Sequence, residues 1–184
     1  MPTYQNSSVD TDRLILGNYA LYTAATSGGT WVNLGLGQLT SWGHKIEKVN
    51  VQCANAPDPM EGIGRETVQF AFELIEYDAS VLSALQGGLV SSTVTTSQST
   101  IKAGGNTTIT KRAFKMENNR FISGASVRTV ITVFKASIDD GMTIVPKSDN
   151  DSDPLNVLQF AVTGELDTTL STGSQLYTIV KVEV

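Results

Sequence analysis

Along residues 65–88, RETVQFAFELIEYDASVLSALQGG, the spacing of apolar side chains changes period once. In the first half Val68, Phe70, Phe72 and Leu74 alternate with Thr67, Gln69 and Glu73, which predicts a strand with one buried face. The alternation stops at Asp78, a residue suited to cap a helix through its carboxylate. Val81, Leu82 and Leu85 then fall at helical spacing, and Gly87 stands where a left-handed C-cap is needed. A helix of about 78–87 has little stability of its own at such length. It is therefore expected to lie against the sheet that holds Phe70 and Phe72.

Elsewhere the pattern is mostly of period two. Residues 46–53 read as a strand whose phase slips between Ile46/Lys48 and Val49/Val51, which predicts a bulge. A short strand is expected from Trp31 towards Trp42, and another, or an extended arm, over residues 14–23. Residues 127–136, VRTVITVFKA, are apolar at successive positions and predict a strand covered on both faces. Residues 155–166 and 176–184 alternate clearly. Residues 55–64, NAPDPMEGIG, hold two prolines and two glycines and read as a long connection, not a central strand.

The sum is about seven strands and one short helix, a mainly β chain. An antiparallel β-sandwich or partly rolled barrel with a flanking helix fits this best. Residues 1–13 are polar and aperiodic, with no basic start and no apolar core, so they read as an extended arm and not as a secretory signal. Residues 14–184 read as one domain. Within it, the Ser/Thr/Gly-rich stretch 90–124 is a possible inserted hairpin or loop, with candidate strands at 89–96 and 107–114.

Composition narrows the functional classes. Charged residues are 17% of the chain and the net charge is -5, so clustered cations able to grip phosphates are not expected. The single cysteine, Cys53, excludes an internal disulfide framework and suits a small buried position. No apolar run reaches the roughly 18 residues of a membrane helix. The single histidine, His44, has no neighbours at metal or triad spacing and is expected in an exposed loop. Gly35-Leu36-Gly37 lacks the third glycine and following helix of a dinucleotide loop. Asp149, Asp151 and Asp153 alternate and are weak candidates for a hard cation. The run nevertheless puts Pro154 and Phe160 where a calcium loop of the helix–loop–helix type needs Gly and Glu. Glu73 and Glu165 lie on polar strand faces, with no sign that they form an acid–base pair. No catalytic constellation and no cofactor are implied, so a non-enzymatic role is expected.

Several segments, taken in order, resemble one family. They are Gly29-Thr30-Trp31-Val32-Asn33-Leu34-Gly35, the strand and helix of residues 65–88, the acidic loop with Pro154, the strand NVLQFAVTGELD, and the closing GSQLYTIVKVEV. Together they resemble the major tail tube proteins of tailed bacteriophages, whose fold is shared with contractile-tail and type VI secretion tube subunits. The resemblance implies a structural virion protein that forms six-membered rings, stacked into a hollow tube through which DNA is delivered. Its partners would be further copies of itself and the tape measure, terminator and distal tail proteins. It would be made in the host cytoplasm and reside in the virion tail.

In that picture Asn55, Pro57, Asp58, Pro59, Met60 and Ile63 are candidates for ring-to-ring contacts. Gln69, Glu73, Gln159 and Glu165 are candidates for the lumen face, where an acidic bias lets DNA slide without adhering. Other classes remain open at this stage. One is another virion β-protein, a capsid decoration subunit or tail terminator. A second is a carbohydrate-binding sandwich using Trp31 and Trp42.

Overall fold

The computed structural model describes residues 17–51, 60–75, 79–85, 90–95, 98–104, 108–122, 125–145 and 157–183. In chain order the elements are β1 (Gly17–Ala24), β2 (Val32–Val51), β3 (Met60–Leu74), α1 (Ala79–Leu85), β4 (Val90–Val94), β5 (Ser99–Ala103), β6 (Arg112–Ile122), β7 (Ala125–Val145), β8 (Val157–Glu165) and β9 (Tyr177–Glu183). The expected 65–74 strand is the inner part of β3, and the short helix forms where its spacing placed it. Residues 108–111 do not join the strand expected over 107–114, which begins at Arg112.

Seven strands form one antiparallel sheet in the order β6-β1-β2-β3-β8-β7-β9, while β4 and β5 pair separately as a hairpin. An additional β6–β7 pairing rolls the large sheet back on itself. Ala136 shows how: it pairs with Arg112 of β6 on one side and with Gly164 of β8 on the other. β9 takes up the line of β8 along the same edge of β7, pairing through Val127–Val133. The mainly β, rolled, antiparallel architecture is the one that the sequence pattern predicts.

The alternating residues supply the core. Tyr19, Leu21, Leu34, Leu39, Val68, Phe70, Phe72, Leu74, Phe114, Met116, Ile131, Val133, Leu158, Phe160 and Val162 line the inside of the roll, and Leu85 of α1 joins them. Phe70 stacks on Trp42 at 6.0 Å and meets Phe114 edge-on at 5.9 Å. Two glycines let the wall close. A Cβ on Gly37 would stand 2.2 Å from the Glu73 carbonyl oxygen, and one on Gly164 would stand 2.7 Å from both Val133 and Val68 methyls. A side chain at either position would force adjacent strands apart.

Three expectations are corrected. β2 runs unbroken from Val32 to Val51, so the two strands read on either side of Gly43 are one. Residues 60–64 are strand, not loop: β3 starts at Met60 and pairs with β2 out to Val51. The glycines there are tolerated because this stretch lies outside the packed wall. The strand at 127–136 is covered fully on one face only, since Val130 and Thr132 on the other are half-buried. A bulge does occur beside Glu47/Lys48, but its extra residue is Gly64 of β3, not a residue of the 46–53 strand where the phase slip placed it.

Candidate assembly surfaces

Three features of the outer surface arise directly from this roll. The first is a polar face. Because Val68, Phe70, Phe72 and Leu74 point inward, Gln69, Ala71 and Glu73 point out, opposite Thr163, Ala161 and Gln159 of β8. The four residues expected on one functional face, Gln69, Glu73, Gln159 and Glu165, therefore share a surface of two paired strands. Gln159 Nε2 donates to Glu73 Oε1 at 2.7 Å, Gln69 Nε2 to Thr163 Oγ1 at 3.2 Å, and Thr163 Oγ1 to Asp139 Oδ2 at 2.8 Å. A shallow hollow of about 320 Å³ lies on it, between Ala71, Glu73, Thr143 and Gln159.

Glu165 closes this face between two cations, Lys111 Nζ at 2.5 Å and Lys135 Nζ at 3.0 Å. The hydrogen bond from Lys111, then that from Lys135 and both charges, hold its carboxyl below the ordinary range against a partial loss of hydration. The face thus presents amides, hydroxyls and small side chains with each of its three carboxylates engaged, and its two lysines are both paired to Glu165. A surface without a cluster of unpaired cations has little to grip phosphates with.

The second feature is an arm. β8 pairs with β3 only as far as Thr67, and beyond that β2 and β3 continue as a two-stranded hairpin. Residues 43–50 and 61–65 are all exposed. Ile46 and Val49 are each 49% exposed and Ile63 is 63% exposed, with Lys48 paired to Glu61 at 3.2 Å beside them. A two-stranded ribbon with neither face covered is marginal in water. This one is anchored at its root, where Trp42 packs on Phe70 and Tyr177. Of the candidate contact residues, Met60 and Ile63 belong to the arm. Asn55, Pro57, Asp58 and Pro59 lie outside the described residues, as do Cys53, the capping residues Asp78 and Gly87, and the acidic run of Asp149, Asp151 and Asp153.

The third feature is a pair of open strand edges. Residues 40–51 of β2 have β3 on one side and, among the described residues, no strand on the other. Residues 137–145 of β7 have β8 on one side and likewise no strand on the other. Sequence reading does not find these edges, because whether an edge is open depends on which remote strands pair. It also misses the opposite outer face, where Lys115 lies over the rings of Tyr22 and Trp31. Glu117 there accepts from Lys115 at 2.9 Å and Arg128 at 3.0 Å. Burial raises the Glu117 carboxyl, but these two cations outweigh it and leave it below the ordinary range.

His44 is exposed at the arm root, edge-on to Tyr177 at 5.6 Å, and so sits in β2, not in a loop. Among the described residues no group of three or more His, Cys, Asp or Glu side chains could hold a metal ion, and no helix is long and apolar enough to cross a membrane. Trp42 belongs to the core's margin and Trp31 faces Lys115, so the two tryptophans do not form a shared stacking platform.

No family model and no curated protein matches the chain. Among solved structures it is similar to the anti-feeding prophage cap, an AFP tube terminating cap, at 8% identity. That match covers 95% of this chain and 99% of that one, with a TM-score of 0.47. It is also similar to Hcp protein, at 9% identity over 91% of this chain and 99% of that one, with a TM-score of 0.40.

Proposed function

We propose that this chain is the subunit of a self-assembled hollow tail tube. The observation that carries the reading is the pair of open edges on the β2-β3-β8-β7 stretch. Four antiparallel strands leave the two outermost running in opposite directions, so β2 of one copy fits antiparallel beside β7 of the next. Each such pairing satisfies backbone groups that an isolated copy leaves to water. The contact is heterologous, using different patches on the two copies, and its repetition closes into a ring.

In this ring the polar face turns inward, and Gln69, Glu73, Gln159 and Glu165 line a channel that DNA traverses without adhering. The arm, with Met60 and Ile63 and the candidate residues Asn55, Pro57, Asp58 and Pro59 beyond them, reaches the adjacent ring and stacks it. The sequence resemblance supports six copies per ring, a place in the virion tail, and tape measure, terminator and distal tail proteins as partners. The role is structural and not enzymatic.

The test is negative-stain electron microscopy of the purified protein over a concentration series. Hollow filaments or stacked rings are expected. Isolated rings that never stack would instead assign a tube terminator, and discrete trimers a capsid decoration protein. Monomers at every concentration, with or without added tail initiator proteins, would overturn the reading.

A further inference from the structure

Beside the open edge of β7 lies a cavity of about 130 Å³, whose lining combines the apolar Leu85, Ile109, Phe114 and Ile138 with the polar Arg112 and Asp139. Its walls come from α1, β6 and its approach, and the bulged part of β7, the strand whose free edge a further strand would extend. A cavity of about 150 Å³ has room for a benzene-sized group. Ile109 on its rim is 57% exposed, although it is a large aliphatic residue in an otherwise polar run.

A strand added to that edge projects alternate side chains towards the core side of the sheet, over this cavity. On the free edge of β2 the core-side residues are Trp42, His44 and Ile46, by alternation and by the pairing of Trp42 with Phe70. Trp42 and His44 are already packed against Tyr177 of their own chain. Ile46 follows them as the first aliphatic residue in the series, 49% exposed.

We propose that this cavity is the socket for Ile46 of a neighbouring copy, and that seating it sets the register of the β2–β7 junction. The inference rests on the side-by-side ring of the preceding subsection and specifies its contact. Backbone pairing alone permits slippage, and a one-residue slip would turn Ile46 to the polar face. A branched side chain in a socket removes that freedom.

Two variants test it. In a Cys53→Ser background, Ile46→Cys with Ile109→Cys should give, on oxidation of assembled protein, a ladder of covalent multimers under denaturing conditions, absent from either single variant. Ile46→Asp should keep the subunit's circular dichroism and melting temperature but lower ring yield at least tenfold. Tubes or rings visible by microscopy without any ladder, or an Ile46→Asp variant that assembles normally, would overturn the socket and leave the tube reading standing. A wild-type protein that never assembles would overturn both.

Discussion

Replacing Ile63 by Asp separates folding from stacking. Ile63 stands on the arm with 63% of its surface exposed, beyond the last β3–β8 pair. The isolated subunit therefore loses little, within about 0.5 kcal/mol, as expected of surface substitutions away from packed features. In a stacked tube the same side chain is covered. Full burial of an isoleucine is worth about 1.5–3 kcal/mol, so covering the part still exposed contributes roughly 1–2 kcal/mol per copy. Over a six-membered ring that sums to about 6–12 kcal/mol per junction, enough to abolish stacking, since each 1.4 kcal/mol is about tenfold in a binding constant. The variant should show an unchanged urea midpoint and a ring yield near wild type by microscopy, with tubes shortened to single rings or ring pairs. Tubes of normal length would refute the placement of the arm between rings. A large fall in the urea midpoint would refute the premise that the arm is free in the subunit.

Gly37→Ala should destabilise the subunit by about 1–3 kcal/mol or more, because the new methyl meets the Glu73 carbonyl, and backbone yields less than a side chain; chemical denaturation measures it. Phe70→Ala should cost about 3–5 kcal/mol by removing the ring between Trp42 and Phe114, read in the same assay. The carboxyls of Glu117 and Glu165 are both held below their ordinary value of 4.5. Groups so depressed stabilise the fold above that value and lose the contribution as pH falls through the folded-state value. Thermal melts from neutral pH downward should therefore show a smaller acid-side loss in Glu165→Gln and Glu117→Gln than in wild type.

Local pattern made some elements legible and left others hidden. The alternation of Val68, Phe70, Phe72 and Leu74 fixes an inward face without any knowledge of its neighbours. The same holds for the strand ending in Glu165, whereas the bulge beside Glu47/Lys48 takes its extra residue, Gly64, from β3, which the phase of residues 46–53 does not reveal. The strand read towards Trp42 and the one read from Ile46 are a single strand, because continuous pairing with β3 carries β2 through Gly43. Residues 60–64 read as loop because they close a stretch with two prolines and two glycines, and their strand geometry is imposed by pairing with residues 48–51. The shared polar face of Gln69, Glu73, Gln159 and Glu165 was within reach of alternation, but their juxtaposition needed the β3–β8 register. The open edges and the socket had no signal to find. Leu85, Ile109 and Ile138 come from separate segments, and nothing in their local sequence says that they meet.

The central claim is that copies join by laying β2 antiparallel beside β7 of the next copy. Cryo-electron microscopy of assembled filaments at side-chain resolution tests it most directly. Expected is a continuous antiparallel sheet around a hollow axis, with Gln69 and Glu73 facing the channel and residues 40–46 of one copy hydrogen-bonded along the 137–145 edge of its neighbour. Filaments joined through other edges, or with the Gln69–Glu73 face turned to the outside, would contradict it.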